Sequence, residues 1–146
     1  MNVESRPEPT VIPYILVQGA AQAIDFYRSV FGATETGARF TDPAGKVGHA
    51  EIMIGNSKIM LADEQPPEYR FAPIMFHLRV ENVDAVVVRA TAAGATLSRA
   101  VADQAYGDRS GVLLDPFGHS WMVSQRVEEV SAAELQRRVG ESYAIT

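Results

Sequence analysis

The 146-residue chain has no cysteine, a single tryptophan and only three histidines. Without thiols, disulfides, thiolate metal sites and cysteine nucleophiles are excluded together. Long apolar runs are missing as well, since nothing approaches the roughly 20 residues of a membrane-spanning helix. Met1 to Pro9 is polar and proline-bearing and lacks the apolar core of an export signal, so a cytoplasmic location is expected. Basic residues are the minority, 13 Lys and Arg against 18 Asp and Glu, for a net charge of −5. A nucleic-acid binder needs a basic patch or stripe. No nucleic-acid partner and no membrane partner are therefore expected. What remains, 47% hydrophobic and 21% charged residues, is ordinary for a globular protein. The length suits one domain, spanning 1–146, that removes roughly 70% of its unfolded surface from water.

The chain also repeats itself. Val17, Gln18 and Gly19 open a segment reaching Phe31–Thr34 (FGAT), and Val80, Glu81 and Asn82 open one reaching Ala93–Thr96 (AGAT). Gly55-Asn-Ser57 is echoed by Gly118-His-Ser120, 63 residues later, whereas Gly32 and Gly94 are 62 apart. A repeat fixes the architecture before any local reading, because it pairs each position with a counterpart.

Within the first copy, Val11–Val17 reads as a strand, with Pro13 confined to an edge or start because it has no ladder donor. Ala23, Ile24, Tyr27, Val30 and Phe31 then fall on one face of a helix over Ala20–Phe31, closed by Gly32. Strands are expected at Thr36–Phe40, Val47–Ile54 and Lys58–Ala62, with a turn at Asp42–Gly45. The second copy reads as strand Ile74–Val80, helix Val83–Ala93, strand Leu97–Val101, loop Tyr106–Gly111 and strands Val112–Leu114 and Ser120–Ser124. Ser131-Ala-Ala-Glu134 has the spacing of a capping box and starts a last helix that runs through Val139.

This is an α+β chain of two βαβββ modules, about 10–63 and 74–127, joined by a linker at 64–73 and followed by a helix over 131–139. With Ala23–Tyr27 (AIDFY), Val47–Glu51 (VGHAE), Val80–Asp84 (VENVD), Tyr106–Arg109 (YGDR) and Asp115–His119 (DPFGH) in this order, it resembles the vicinal oxygen chelate superfamily. That is the glyoxalase, bleomycin-resistance and dioxygenase group, and the likeness is to its PhnB-like branch. The resemblance implies a curved, cleft-bearing sheet and, in metal-using members, four inward His, Gln or Glu ligands. Those positions map to Met75 and Met122 and, by the 63-residue offset, to Ile12 and Ile59. All four are apolar, and thioethers do not suit hard divalent cations. The three histidines lie in different segments without paired-ligand spacing. No metal and no cofactor are expected.

Strand alternation places His77 and Arg79 beside Met75, and Ser120 beside Met122. The repeat pairs Tyr14 with His77. The expected ligand-binding set is Ile12, Tyr14, Ile59, Met75, His77, Arg79, Tyr106, Arg109, Ser120 and Met122, an apolar base with a few polar handles. Catalytic candidates are His49, Glu51 and His77. His49 and Glu51 share a strand face and suit an acid/base pair, or a structural pair at the sheet rim. His77 reads as a core histidine or a ligand contact, and His119 as a turn or surface residue. Arg109 reads as a carboxylate or phosphate clamp, or as the partner of Asp108 or Asp103.

The function expected from all this is a metal-free small-molecule-binding protein of the bleomycin-resistance type. The resemblance implies a homodimer, and open sheet edges favour one. The competing readings are a glyoxalase-type lyase, isomerase or dioxygenase, or a metal-free acid/base enzyme using His49 with Glu51, or His77.

Overall fold

In the computed structural model, which describes residues 8–146, the switch from period two to period 3.6 after Val17 is a strand followed by a helix. Residues 1–7, most of the polar stretch Met1–Pro9, lie outside the described residues. The first unit ends at Ala72 and contains β1 (Tyr14–Val17), α1 (Ala20–Phe31), β2 (Thr34–Thr41), β3 (Val47–Ile54) and β4 (Ser57–Asp63). Its sheet runs β1-β4-β3-β2, with β1 parallel to β4 and the other pairs antiparallel. Val11 to Pro13, read above as part of the first strand, lie outside it. Pro13 still lends its carbonyl to the Met60 amide at 2.9 Å, the half of a ladder contact that a proline can make.

Helix α1 buries Ala20, Ala23, Ile24, Phe26, Tyr27 and Val30 against Ile15, Val17, Ile52 and Leu61, each no more than 1% exposed. Each fully buried aliphatic or aromatic side chain in such a layer contributes about 1.5–3 kcal/mol relative to exposure. The helix starts at Gly19 without a side-chain cap of its own. Asp63 supplies the cap from the end of β4. Its Oδ1 accepts from the Gly19 and Ala20 amides at 2.7 and 2.9 Å, and its Oδ2 from the Val47 amide at 2.8 Å. One carboxylate thus ties β4 to the helix start and to the start of β3.

The second unit, Pro73–Thr146, repeats the plan with β5 (Met75–Arg79), α2 (Val83–Ala92), β6 (Thr96–Asp103), β7 (Asp108–Leu114) and β8 (Ser120–Arg126), then α3 (Ala132–Val139). The sheet order is β5-β8-β7-β6, with β5 parallel to β8. Trp121 and Val123 face α2, and Phe76 stacks on Trp121 with ring centroids 4.4 Å apart. Ser131 caps α3 by accepting from the Glu134 amide at 3.1 Å.

The expected loop at Tyr106–Gly111 is mostly strand, because β7 begins at Asp108. The glycine that suggested a loop is there for a close approach. A Cβ on Gly111 would sit 2.9 Å from Val101 Cγ2 and 3.2 Å from the Arg99 carbonyl, where the β6–β7 register shifts between Leu97, Arg99 and Ala102. Glycine inside a strand marks a bulge or a near neighbour.

Candidate functional site

Each sheet has a helix-covered face and an open face. In the first unit the register places Tyr14 and Leu16 beside Met60 and Ala62, and Met60 beside Glu51. The open face therefore carries Tyr14, Leu16, His49, Glu51, Lys58, Met60 and Ala62. A cavity of about 230 Å³ is framed by Tyr14, Leu16, Gly48, Ala62, Asp63 and Tyr69. Tyr69 reaches it from the segment after β4, which is pinned by reciprocal Gln65–Tyr69 backbone bonds of 2.7 and 3.0 Å.

From Tyr14 at the cavity wall, polar groups run in a chain along the open face. The Tyr14 hydroxyl lies 2.9 Å from His49 Nδ1, and His49 Nε2 lies 3.2 Å from Glu51 Oε1. A carboxylate can only accept, so Nε2 carries the proton toward Glu51, and Nδ1 accepts from the phenol. The hydrogen bond from His49 holds the Glu51 carboxyl below its ordinary value; burial opposes this and Lys58, 3.5 Å away, reinforces it. Burial first, then Tyr69 and Glu51, push the Tyr14 phenol above its ordinary value. The arrangement is a neutral phenol donating to an imidazole whose tautomer a carboxylate has fixed. Groups so linked hold or pass a proton at the Tyr14 oxygen.

In the second unit the register puts Met75, His77 and Arg79 of β5 on one face with Ser120, Met122 and Ser124 of β8, and with Ser110, Val112 and Leu114 of β7. His77 Nε2 is 2.8 Å from Ser124 Oγ, and Arg99 Nη2 donates to Ser110 Oγ at 2.7 Å. The opposite face carries Arg109, which grips both oxygens of Asp84 at 2.9 and 3.0 Å and reaches Asp103 at 3.2 Å.

A family model described as the Glyoxalase/Bleomycin resistance protein/Dioxygenase superfamily matches residues 10–123. The chain belongs to that superfamily. It is 42% identical over 139 residues to an uncharacterized protein of Mycobacterium tuberculosis, covering 88% of this chain and 81% of that one. Its fold is shared with TioX from Micromonospora sp. ML1 (TM-score 0.66, 23% identity, 82% of this chain and all of that one). It is also shared with a PhnB protein from Bacillus cereus (TM-score 0.65, 19% identity, 80% and 99%).

Of the residues singled out for a superfamily ligand site, Met75, His77, Arg79, Ser120 and Met122 do share the open face of the second unit. Tyr14 is on that of the first, Ile12 precedes β1, and Tyr106 sits in the turn before β7. Ile59 is the first of the expectations that the structure corrects. It is 5% exposed on the helix-covered face, paired with Ile52, and Met60 takes its place on the open side. The cause is turn length. Gly55 and Asn56 alone join β3 to β4, whereas Asp115–His119 join β7 to β8. The echo at Gly55 and Gly118 thus misaligns the strands by one residue, and a one-residue slip exchanges faces. Alternation within β4, with Ile59 and Leu61 against Lys58 and Met60, carried the correct signal.

Arg109 is no open-face clamp. Its fork is spent on the N-terminal turn of α2. His119 is likewise no surface residue. It is fully buried, its Nδ1 accepting from the Ile74 amide at 3.1 Å. His77 is an exposed open-face residue rather than a core histidine. Ser110 and Arg99 were not anticipated as open-face groups. On the mapping that the resemblance implies, with Met60 in the open-face place expected of Ile59, the donor positions hold Ile12, Met60, Met75 and Met122. Hydrocarbon and thioether groups do not fit a hard divalent cation. Among the described residues, no three His, Asp or Glu side chains come close enough to share an ion.

Proposed function

We propose that this chain is a metal-independent small-molecule-binding protein. The observation that carries the reading is the aromatic-walled cavity at Tyr14 and Tyr69 beside Met60. An apolar wall with a few oriented polar groups is the chemistry of a ligand pocket, and about 230 Å³ suits a ring-sized group rather than a whole drug-sized molecule. The test is a thermal-shift screen of chelator-treated protein against a small-molecule library, with and without Ni²⁺, Mn²⁺ or Zn²⁺. Stabilisation by organic compounds without added metal is expected. Stabilisation by stoichiometric metal alone overturns it.

A second reading, a metal-free acid/base enzyme, is favoured by the Tyr14–His49–Glu51 chain, whose geometry meets the requirement for proton transfer at a positioned group. Its test is deuterium uptake from D₂O into a retained compound, lost in His49→Ala and Glu51→Gln. A homodimer belongs to the same proposal, supported by the unpaired outer edges of β1 and β2 and checked by light scattering. A cytoplasmic location and the absence of nucleic-acid partners rest on composition. Among the described residues, no helix is long and apolar enough to cross a membrane.

A further inference from the structure

We infer that the open face of the β5-β8-β7-β6 sheet holds a subsite for an anionic oxygen group, a carboxylate or phosphate, carried on a small molecule with an apolar body. The inference rests on the small-molecule reading and adds the ligand's charge. Register sets Arg79, Ser124 and Ser110 in one row across three neighbouring strands. Arg99 completes the row from β6 by reaching Ser110. Strands lie about 4.8 Å apart, so the whole row spans about 14 Å, a gap that two long arginine side chains can close from its ends.

The two arginines differ from five others on this chain. Arg39, Arg109, Arg126, Arg137 and Arg138 each meet a carboxylate within ion-pair distance. Among the described residues, neither Arg79 nor Arg99 meets one. Asp108, the acid whose register position falls on this face, is taken by Arg126 at 2.6 Å. Carboxylates are not scarce, because the chain carries 18 against 13 basic residues. Two guanidinium groups left without acids on one face supply the forked donors that match carboxylate and phosphate oxygens.

Between them lie Ser110 and Ser124, at 0% and 1% exposure, whose hydroxyls hold the Arg99 guanidinium at 2.7 Å and the His77 ring at 2.8 Å on this face. Met122 and Val112 adjoin the row, with Met75 one row further on, and they offer a thioether and aliphatic surface for the rest of the ligand.

The experiment titrates ¹⁵N-labelled protein with benzoate, phenyl phosphate and neutral benzamide in separate arms at constant ionic strength. Saturable shifts at His77, Ser110 and Ser124 are expected with one or both anions, and the stronger arm tells carboxylate from phosphate. Arg79→Gln and Arg99→Gln should each weaken that binding about tenfold, while Arg109→Gln should leave it unchanged. Equal binding of benzamide and the anions, or anion binding that survives the double variant, overturns the subsite. Shifts confined to Tyr14 and Tyr69 also overturn it but leave the small-molecule reading standing. No saturable binding of any arm, together with a blank library screen, removes both.

Discussion

Replacing Asp63 by Asn should destabilise the first unit by about 2–4 kcal/mol at neutral pH. The carboxylate accepts three amide hydrogens, from Gly19, Ala20 and Val47, while 8% exposed. Asn keeps one acceptor oxygen. Its best orientation retains the Gly19 and Ala20 bonds and turns the amide nitrogen toward the Val47 N–H, donor against donor. Losing a charge-assisted bond and leaving a buried N–H unmatched costs about 1.5–3 kcal/mol. Removing the negative charge from the start of α1 adds about 0.3–1 kcal/mol.

The pH dependence gives a second, independent handle. Burial works against the Asp63 charge, but the Val47, Ala20 and Gly19 amides and nearby Lys46 outweigh it and hold the carboxyl below its ordinary value. A carboxyl with a lower pKa folded than unfolded contributes its full stabilisation above the unfolded value, about 3.9, and loses it as pH falls through the folded value. The stability gap between wild type and Asp63→Asn should therefore be widest near neutrality and should narrow below about pH 4. Urea denaturation followed by far-ultraviolet circular dichroism at several pH values measures it. A gap below about 0.5 kcal/mol at neutral pH, or one that stays constant into acid, refutes the assignment of Asp63 as the charged clasp between β4, α1 and β3.

Three further outcomes follow from the geometry. Trp121→Phe removes the donor that reaches Asp115 Oδ2 at 2.9 Å and should cost about 1–3 kcal/mol in urea denaturation. Gly107→Ala should cost about 1–3 kcal/mol in the same assay, because Gly107 sits at φ +103° and a Cβ there would run into the Glu128 carbonyl oxygen. Tyr14→Phe should leave the melting temperature nearly unchanged, the residue being 44% exposed. For any screening hit seated at Tyr14, it should weaken binding about three- to tenfold by calorimetry, the worth of one hydrogen bond.

Much of this chain was legible in its residues because the relevant signals are local. Apolar spacing alone set Ala20–Phe31, which is the observed α1, and Val47–Ile54, which is the observed β3. The pairing of His49 with Glu51 followed from two residues on one strand face. What was not legible depended on partners distant in sequence. Arg109 offered a choice of acids, and Asp103 was among those considered; Asp84, 25 residues away, takes the bidentate contact only because α2 docks over β7. Asp63 read only as the last residue of the first module until its three amide partners came together. Tyr69 gained its place at the cavity through a short segment whose path no periodicity encodes.

Met60, and not Ile59, faces the open side of the first sheet. With Met60 opposite Tyr14 and Met122 opposite His77, equivalent positions of both open faces carry a thioether, so the two units agree at their centres. They disagree around them. The first surrounds Met60 with a phenol, an imidazole and a carboxylate in series; the second surrounds Met122 with serines and with arginines that meet no carboxylate among the described residues. A duplicated module built around one cation would place similar donors on both copies, because the ion presents the same demand to each. Keeping each centre apolar, with a proton-holding chain on one face and arginines that meet no carboxylate among the described residues on the other, suits organic ligand groups of different chemistry at each face. On the proposed reading, exchanging Met60 or Met122 for histidine should therefore lower affinity for organic compounds before it creates affinity for a divalent ion, since one added imidazole on either face still lacks the remaining donors.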